Sequence, residues 1–119
     1  MTYKFEKLEV WKLAMKVNAL VYELTEVLPE KEKFNLNSQM RRASTSISLN
    51  IAEGSTGQSN AEQARFLSFA IRSYVEVIAC LRILEERKYL IGHGKIKKEL
   101  EEVGARLFAK LQVFRRSLK

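Results

Sequence analysis

Apolar residues recur along this chain at steps of three and four, in four blocks divided by short polar segments. In the first block Leu8, Trp11, Met15, Asn18 and Tyr22 form one row, with Val10, Ala14, Val17, Val21, Leu24 and Leu28 in a second row beside it. Glu9, Lys12, Lys16 and Glu23 fall on the opposite side. That period is helical and predicts a first helix over about Lys7 to Leu28. Pro29 ends it, because a residue that precedes proline avoids the α region. Pro29 to Asn37 reads as a connecting loop whose Phe34 and Leu36 turn inward to cover one end of the fold.

A second helix is predicted over about Ser38 to Glu53. Met40, Ala43, Ser44, Ile47, Ile51 and Gly54 make its narrow inner row, with Arg42, Ser46, Leu49 and Glu53 on the other side. The run Ala43-Ser-Thr-Ser-Ile-Ser has poor helix propensity, so packing of small side chains must hold this segment. Gly54 stands where a left-handed C-terminal cap is expected. Ser59 followed three residues later by Glu62 is a capping box, and it opens a third helix that continues to about Leu90. Ala64, Leu67, Ile71, Tyr74, Val75, Ile78 and Leu81 form one apolar row of that helix. Phe66, Phe69, Ser73, Val77, Cys80 and Leu84 form a second, about half a turn away. After the turn Ile91-Gly-His-Gly, a fourth helix over about Lys95 to Ser117 carries Ile96, Leu100, Val103, Leu107, Leu111, Phe114 and Leu118 in one row.

Four helices with short connections predict an all-α, antiparallel up-and-down four-helix bundle. At 119 residues it forms one domain over positions 1–119. A helix that is apolar on two sides is covered on two sides. The second row of the third helix therefore reads as an oligomer interface, carried by Phe66, Phe69, Val77, Cys80 and Leu84. The competing arrangement is a central third helix wrapped by the other three.

Charge adds to this picture. Lys and Arg number 21 against 14 Asp and Glu, for a net charge of +7. Such an excess suits phosphate backbones or an anionic surface, although a basic surface also serves solubility alone. Glu102 is the last acid, and Arg106, Lys110, Arg115, Arg116 and Lys119 follow it. Some of these suit a helix C-terminus, where cations oppose free carbonyls. In a symmetric oligomer the same residues would repeat around a ring. With one cysteine no internal disulfide forms, and no apolar run approaches the roughly 18 residues of a membrane span. The charged N-terminus lacks a signal-peptide core, so the expected location is the cytoplasm, with no membrane partner.

Candidate chemistry is sparse. His93 lies between two glycines in a turn and Cys80 on an apolar helix row, an arrangement of neither a metal site nor a nucleophile–base pair. Glu85-Glu86 and Glu101-Glu102 sit among lysines and arginines and read as a solvated face. Gly54 and Gly57 lack the spacing and lysine of a phosphate loop. The expectation is a protein without catalytic residues, metal or cofactor. Arg42, Asn50, Glu53 and Glu76 stand out as a structural polar cluster, with Asn50 at the edge of the inner row and in need of a hydrogen-bond partner.

Ser46-Ile47-Ser-Leu-Asn50-Ile51-Ala52-Glu53-Gly54 resembles the signature of the four-helix-bundle proteins encoded within intervening sequences of bacterial 23S ribosomal RNA genes. Leu8-Glu-Val-Trp11-Lys12, Leu28-Pro29-x-x-Glu32-x-Phe34-x-Leu36-x-x-Gln39, Arg41-Arg42-Ala43, Phe66-Leu67 and Ala70-x-x-Ser73-x-x-Glu76 are similar as well. The likeness spans about Leu8 to Leu84. Leu28 replaces a common aromatic, Arg72 a usual small residue and Gln58 a frequent base. The resemblance implies a ring, typically a homopentamer. It extends to the accessory variability determinants of diversity-generating retroelements, which associate with a reverse transcriptase and nucleic acid. Charge and resemblance together predict a non-enzymatic oligomeric accessory protein that binds RNA or DNA through Arg41, Arg106, Lys110, Arg115 and Arg116 as phosphate neutralisers. The alternative is a protein–protein interaction scaffold with no nucleic-acid role.

Overall fold

Four helices carry the chain: α1 Glu9–Glu26, α2 Leu36–Gly54, α3 Asn60–Glu86 and α4 Gly94–Ser117, with 3-10 turns at Lys4–Lys7 and Glu30–Glu32. They are described by a computed structural model of residues 1–119, which measures 44 × 24 × 23 Å. Helices adjacent in the chain pack together, most closely α2 with α3, and α4 closes back on α1. The diagonal pairs α1–α3 and α2–α4 make no backbone contact, so the four helices surround one core. Asn37 at the head of α2 donates from Nδ2 to the Thr25 carbonyl near the tail of α1 (3.0 Å). Lys110 in the second half of α4 pairs with Glu9 at the head of α1 (3.3 Å).

The inner rows read from the sequence are largely those that fill the core. Val10, Ala14, Val17, Val21, Leu24 and Leu28 of the first block are all buried, as are Met40, Ala43, Ser44, Ile47, Ile51 and Gly54 of the second. Small residues in α2 serve a close approach to α3: a Cβ on Gly54 would stand 2.9 Å from the Cβ of Phe66. Gly54 is therefore the last residue of α2 and not a left-handed cap, and the positive φ of the following loop falls on Gly57. Phe34 also departs from expectation. Leu36 is buried, but Phe34 is 89% exposed, because the turn Glu30–Glu32 and an earlier start of α2 point it away from the core.

The third helix stops four residues short of the predicted end, and the reason is backbone geometry. Lys88 adopts φ +63°, the Lys88 amide donates to the Glu85 carbonyl (2.9 Å), and the Tyr89 amide donates to the Leu84 carbonyl (3.1 Å). This is a Schellman closure built with lysine where glycine is usual, so no residue type announces it.

Tyr89, released by that closure, reaches the α1–α2 connection. Its Oη donates to Glu32 Oε2 (2.9 Å), and Asn35 Nδ2 donates to Glu32 Oε1 (3.0 Å). Glu32 is buried, yet the bond from Tyr89, helped by Asn35 and the Leu36 amide and opposed by burial, holds its carboxyl below the ordinary value. A lowered native pKa adds stability above the unfolded carboxylate range, and that stability is lost as pH falls through the native value. Thermal unfolding of Glu32→Gln is accordingly expected to lose less stability than the wild type on acidification below about pH 4.5. Equal losses would remove Glu32 from the acid response.

The main correction concerns α3. Its core seam is Leu67, Ala70, Tyr74, Val77, Leu81 and Leu84, which runs between the two rows read from the sequence and takes residues from both. Val77 and Leu84 are 0% exposed and Cys80 is buried, so these three face the chain's own core and leave no surface for a partner copy. Phe66 and Phe69 are half-buried and pack edge to face (5.8 Å). The apolar surplus on α3 lies elsewhere, at Val75 (53% exposed), Ala79 and Ile83 (46%), one helical turn apart.

Candidate nucleic-acid interface

The cations divide between the two ends of α1. At its head, Arg106 and Lys110 line a groove between α1 and α4 with Leu8, Val10, Ala109 and Val113. Lys110 is paired with Glu9, whereas Arg106 and Arg116 are exposed and make no ion pair. Arg115 donates from Nη1 to Ser68 Oγ (3.1 Å), which ties the α4 tail to α3, as does Asn60 Nδ2 to the Lys119 carbonyl (3.2 Å). Four of the five predicted phosphate contacts thus lie in the second half of α4, Arg106 and Lys110 toward α1 and Arg115 toward α3.

Arg41 does not join them. It stands beside the tail of α1, where its Nε donates to Thr25 Oγ1 (2.7 Å) and its Nη2 reaches Glu26 (3.5 Å). Its guanidinium lies over the Tyr22 ring, 4.5 Å from the centroid. A second groove opens there between α1 and α2, lined by Tyr22, Lys33, Phe34, Asn37, Arg41 and Arg42 among others. Helical spacing puts Tyr22 in an inner row, and Phe34 is expected to cover one end of the fold, but both are exposed and line this groove. Arg41-Arg42 in tandem was the one signal that pointed to it.

Arg42 also lines a polar groove between α2 and α3 that contains Asn50, Glu53, Glu76, Ser46 and Ser73. The predicted cluster of four is therefore gathered on one face, but its members do not bind one another. Asn50 Nδ2 donates within its own helix to the Ser46 carbonyl (2.8 Å) and Ser46 Oγ (3.0 Å), and Ser73 Oγ donates to Ser46 Oγ (3.0 Å) across to α3. Helix-internal bonding answers the partner that Asn50 requires. Glu53 and Glu76 are exposed, so no buried carboxylate pair forms there.

The sequence profile described as 23S rRNA-intervening sequence protein matches residues 6–109. The chain belongs to that family. The 23S rRNA-intervening sequence match takes in α1, α2, α3, both grooves of α2 and Arg106, and ends before Lys110, Arg115 and Arg116. No curated protein matches the chain.

Other ionisable groups of this family member are engaged in holding helices together. Arg82 pairs with Glu85 (2.9 Å) and Glu101 (2.8 Å), and Lys97 with Glu85 (2.8 Å) and Glu101 (3.3 Å). Contact with Lys97, then Arg82, lowers the Glu85 carboxyl, and Glu85 with Glu101 raises Lys97. Glu85 and Glu101 thus form an α3–α4 clasp, where the sequence suggested a solvated face. Burial, with a smaller contribution from Glu76, pushes the Cys80 thiol up, which disfavours a thiolate. No helix is long and apolar enough to cross a membrane.

Proposed function

We propose that this chain is a non-enzymatic cytoplasmic accessory protein, an antiparallel up-and-down bundle that assembles into a ring of identical copies and binds RNA or DNA through basic surface. The observation that carries the reading is the α4 tail. After Glu102 there are five cations and no carboxylate, all five are exposed, and a single ion pair, Lys110 with Glu9, draws on any of them. Unneutralised cations at that density favour a polyanion, because each phosphate contacted releases condensed counterions. A family resemblance adds the pentameric ring and a reverse transcriptase as a partner. The exposed Val75–Ala79–Ile83 stripe of α3, with half-buried Phe66 and Phe69, supplies apolar surface for contact between copies.

Fluorescence titration of a labelled RNA at low salt tests this role. Wild type is expected to bind, and Arg106→Ala with Arg116→Ala is expected to weaken binding to RNA and DNA alike, on the order of tenfold. Absence of binding by the wild type would contradict the role, and light scattering that gives a monomer mass would contradict the ring. A scaffold role is favoured instead by the apolar α1–α4 groove of about 610 Å³, in which Val113 is 59% exposed. Purification at low salt separates the two, since nucleic acid carried through the column supports the first and a stoichiometric protein the second.

A further inference from the structure

We propose that the groove between the tail of α1 and the head of α2 is a binding site for single-stranded nucleic acid, in which unstacked bases lie on Phe34 and on the stacked Arg41–Tyr22 pair while Lys33 and Arg42 hold phosphates. This rests on the nucleic-acid reading above and names a different surface and a substrate class for it.

Three observations converge on the groove, whose volume is about 410 Å³. First, its lining carries three cations and no carboxylate. The nearest acids, Glu26 beside Arg41 (3.5 Å) and Glu30 beside Lys33 (3.9 Å), are on the rim and strongly exposed, so both pairs are open to exchange for phosphate. Second, two aromatic rings are presented to solvent. Phe34 is 89% exposed and Tyr22 42% exposed, and each already carries a cation, Lys33 Nζ at 5.5 Å from the Phe34 centroid and Arg41 Cζ at 4.5 Å from that of Tyr22. Single exposed apolar residues are ordinary on protein surfaces, but packing gives no reason for two rings to flank three cations.

Third, the arginine over Tyr22 is held in position. The bond from Arg41 Nε to the buried Thr25 Oγ1 fixes the guanidinium plane over Tyr22, which leaves little rotamer freedom to lose on binding.

Stacking separates a single strand from a duplex. In a duplex the base faces are covered by their neighbours, so Tyr22 and Phe34 find nothing to stack on and only the phosphate contacts remain. A single strand offers every base face, with little dependence on sequence. The acids Glu53 and Glu76 line the adjoining polar groove, which shares Arg42 and Thr45 with this one. They repel a phosphate chain there and confine the strand to the α1–α2 side.

The test is fluorescence anisotropy with a labelled mixed-sequence twelve-nucleotide RNA, single-stranded and as a duplex, against the full chain and its variants. Phe34→Ala and Tyr22→Ala are each expected to weaken single-strand binding about tenfold and to leave duplex binding unchanged. Phe34→Tyr restores a stacking surface and is expected to bind as wild type, whereas Phe34→Leu is expected to resemble Phe34→Ala. Circular dichroism checks that helix content is retained, which the exposure of Phe34 favours. If wild type binds the duplex as tightly as the single strand and the ring variants alter neither, the groove is overturned while a phosphate-binding tail stands. If wild type binds neither form, both readings fall. If Phe34→Ala lowers the particle mass in light scattering, the ring is a contact between copies and the groove assignment is overturned.

Discussion

Leu84→Ala is expected to lower the free energy of unfolding by about 2–5 kcal/mol without reducing the particle mass. Leu84 is 0% exposed and belongs to the core seam of α3, so truncation leaves a cavity inside one subunit. For a domain of this size a loss of that order lowers the thermal midpoint by roughly ten degrees or more. Urea unfolding followed by circular dichroism, with light scattering on the folded protein, reads both quantities. An unchanged midpoint accompanied by a smaller particle would return Leu84 to a subunit boundary and contradict its placement in the core.

Gly54→Ala has the second-largest expected effect, a net loss of about 1 kcal/mol. Alanine inside a helix is favoured over glycine by up to about 1 kcal/mol, which taken alone predicts stabilisation. Overpacking costs about 1–3 kcal/mol and outweighs it here, because the new methyl would stand 2.9 Å from Phe66 Cβ and 3.4 Å from the Gln63 carbonyl oxygen. Neither atom is the end of a flexible side chain, so α3 must move away from α2. Gly104→Ala makes a useful contrast. Its clash, at 2.8 Å, is with the outer ring atoms of Tyr74 and not with backbone or a Cβ, and a smaller loss is expected. Thermal melts of the two variants side by side check the order. A Gly54→Ala protein that melts above wild type would contradict the close α2–α3 approach.

Much of the fold was legible because helical periodicity is a strong signal. The inner row of α2 and the start of α3 at Ser59, whose Oγ accepts the Glu62 amide (3.0 Å), stand where the residues indicate. Only half of that capping box forms, since the Glu62 carboxylate pairs with Arg65 (3.3 Å) instead of reaching back. The misreading of α3 has a simple origin. Ala70 is a full member of the seam, but a small residue adds little to an apolar pattern, and without it Val77 and Leu84 separate from Leu67, Tyr74 and Leu81 as though they faced another way. The end of α3 was hidden because a left-handed lysine carries no residue-type signal.

The candidate site was legible only where charge marks it. Arg106, Lys110, Arg115 and Arg116 are visible as a run without acids, and their common place in the second half of α4 follows from the helix itself. Arg41 was named for its charge, but its surroundings were not foreseen. Phe34 and Leu36 look alike in a loop read as covering one end of the fold, and nothing in the residue types says that the turn before α2 buries Leu36 and sends Phe34 outward. Long-range pairings such as Tyr89 with Glu32, 57 residues apart, lie beyond local pattern altogether.

Affinity for nucleic acid as a function of salt tests the central claim most directly. If the exposed cations of the α4 tail and those lining the α1–α2 groove neutralise phosphates, log affinity falls linearly with log salt, by about 0.7 for each phosphate contacted on a single strand. Affinity that is absent at low salt, or that stays level as salt rises, would contradict the claim.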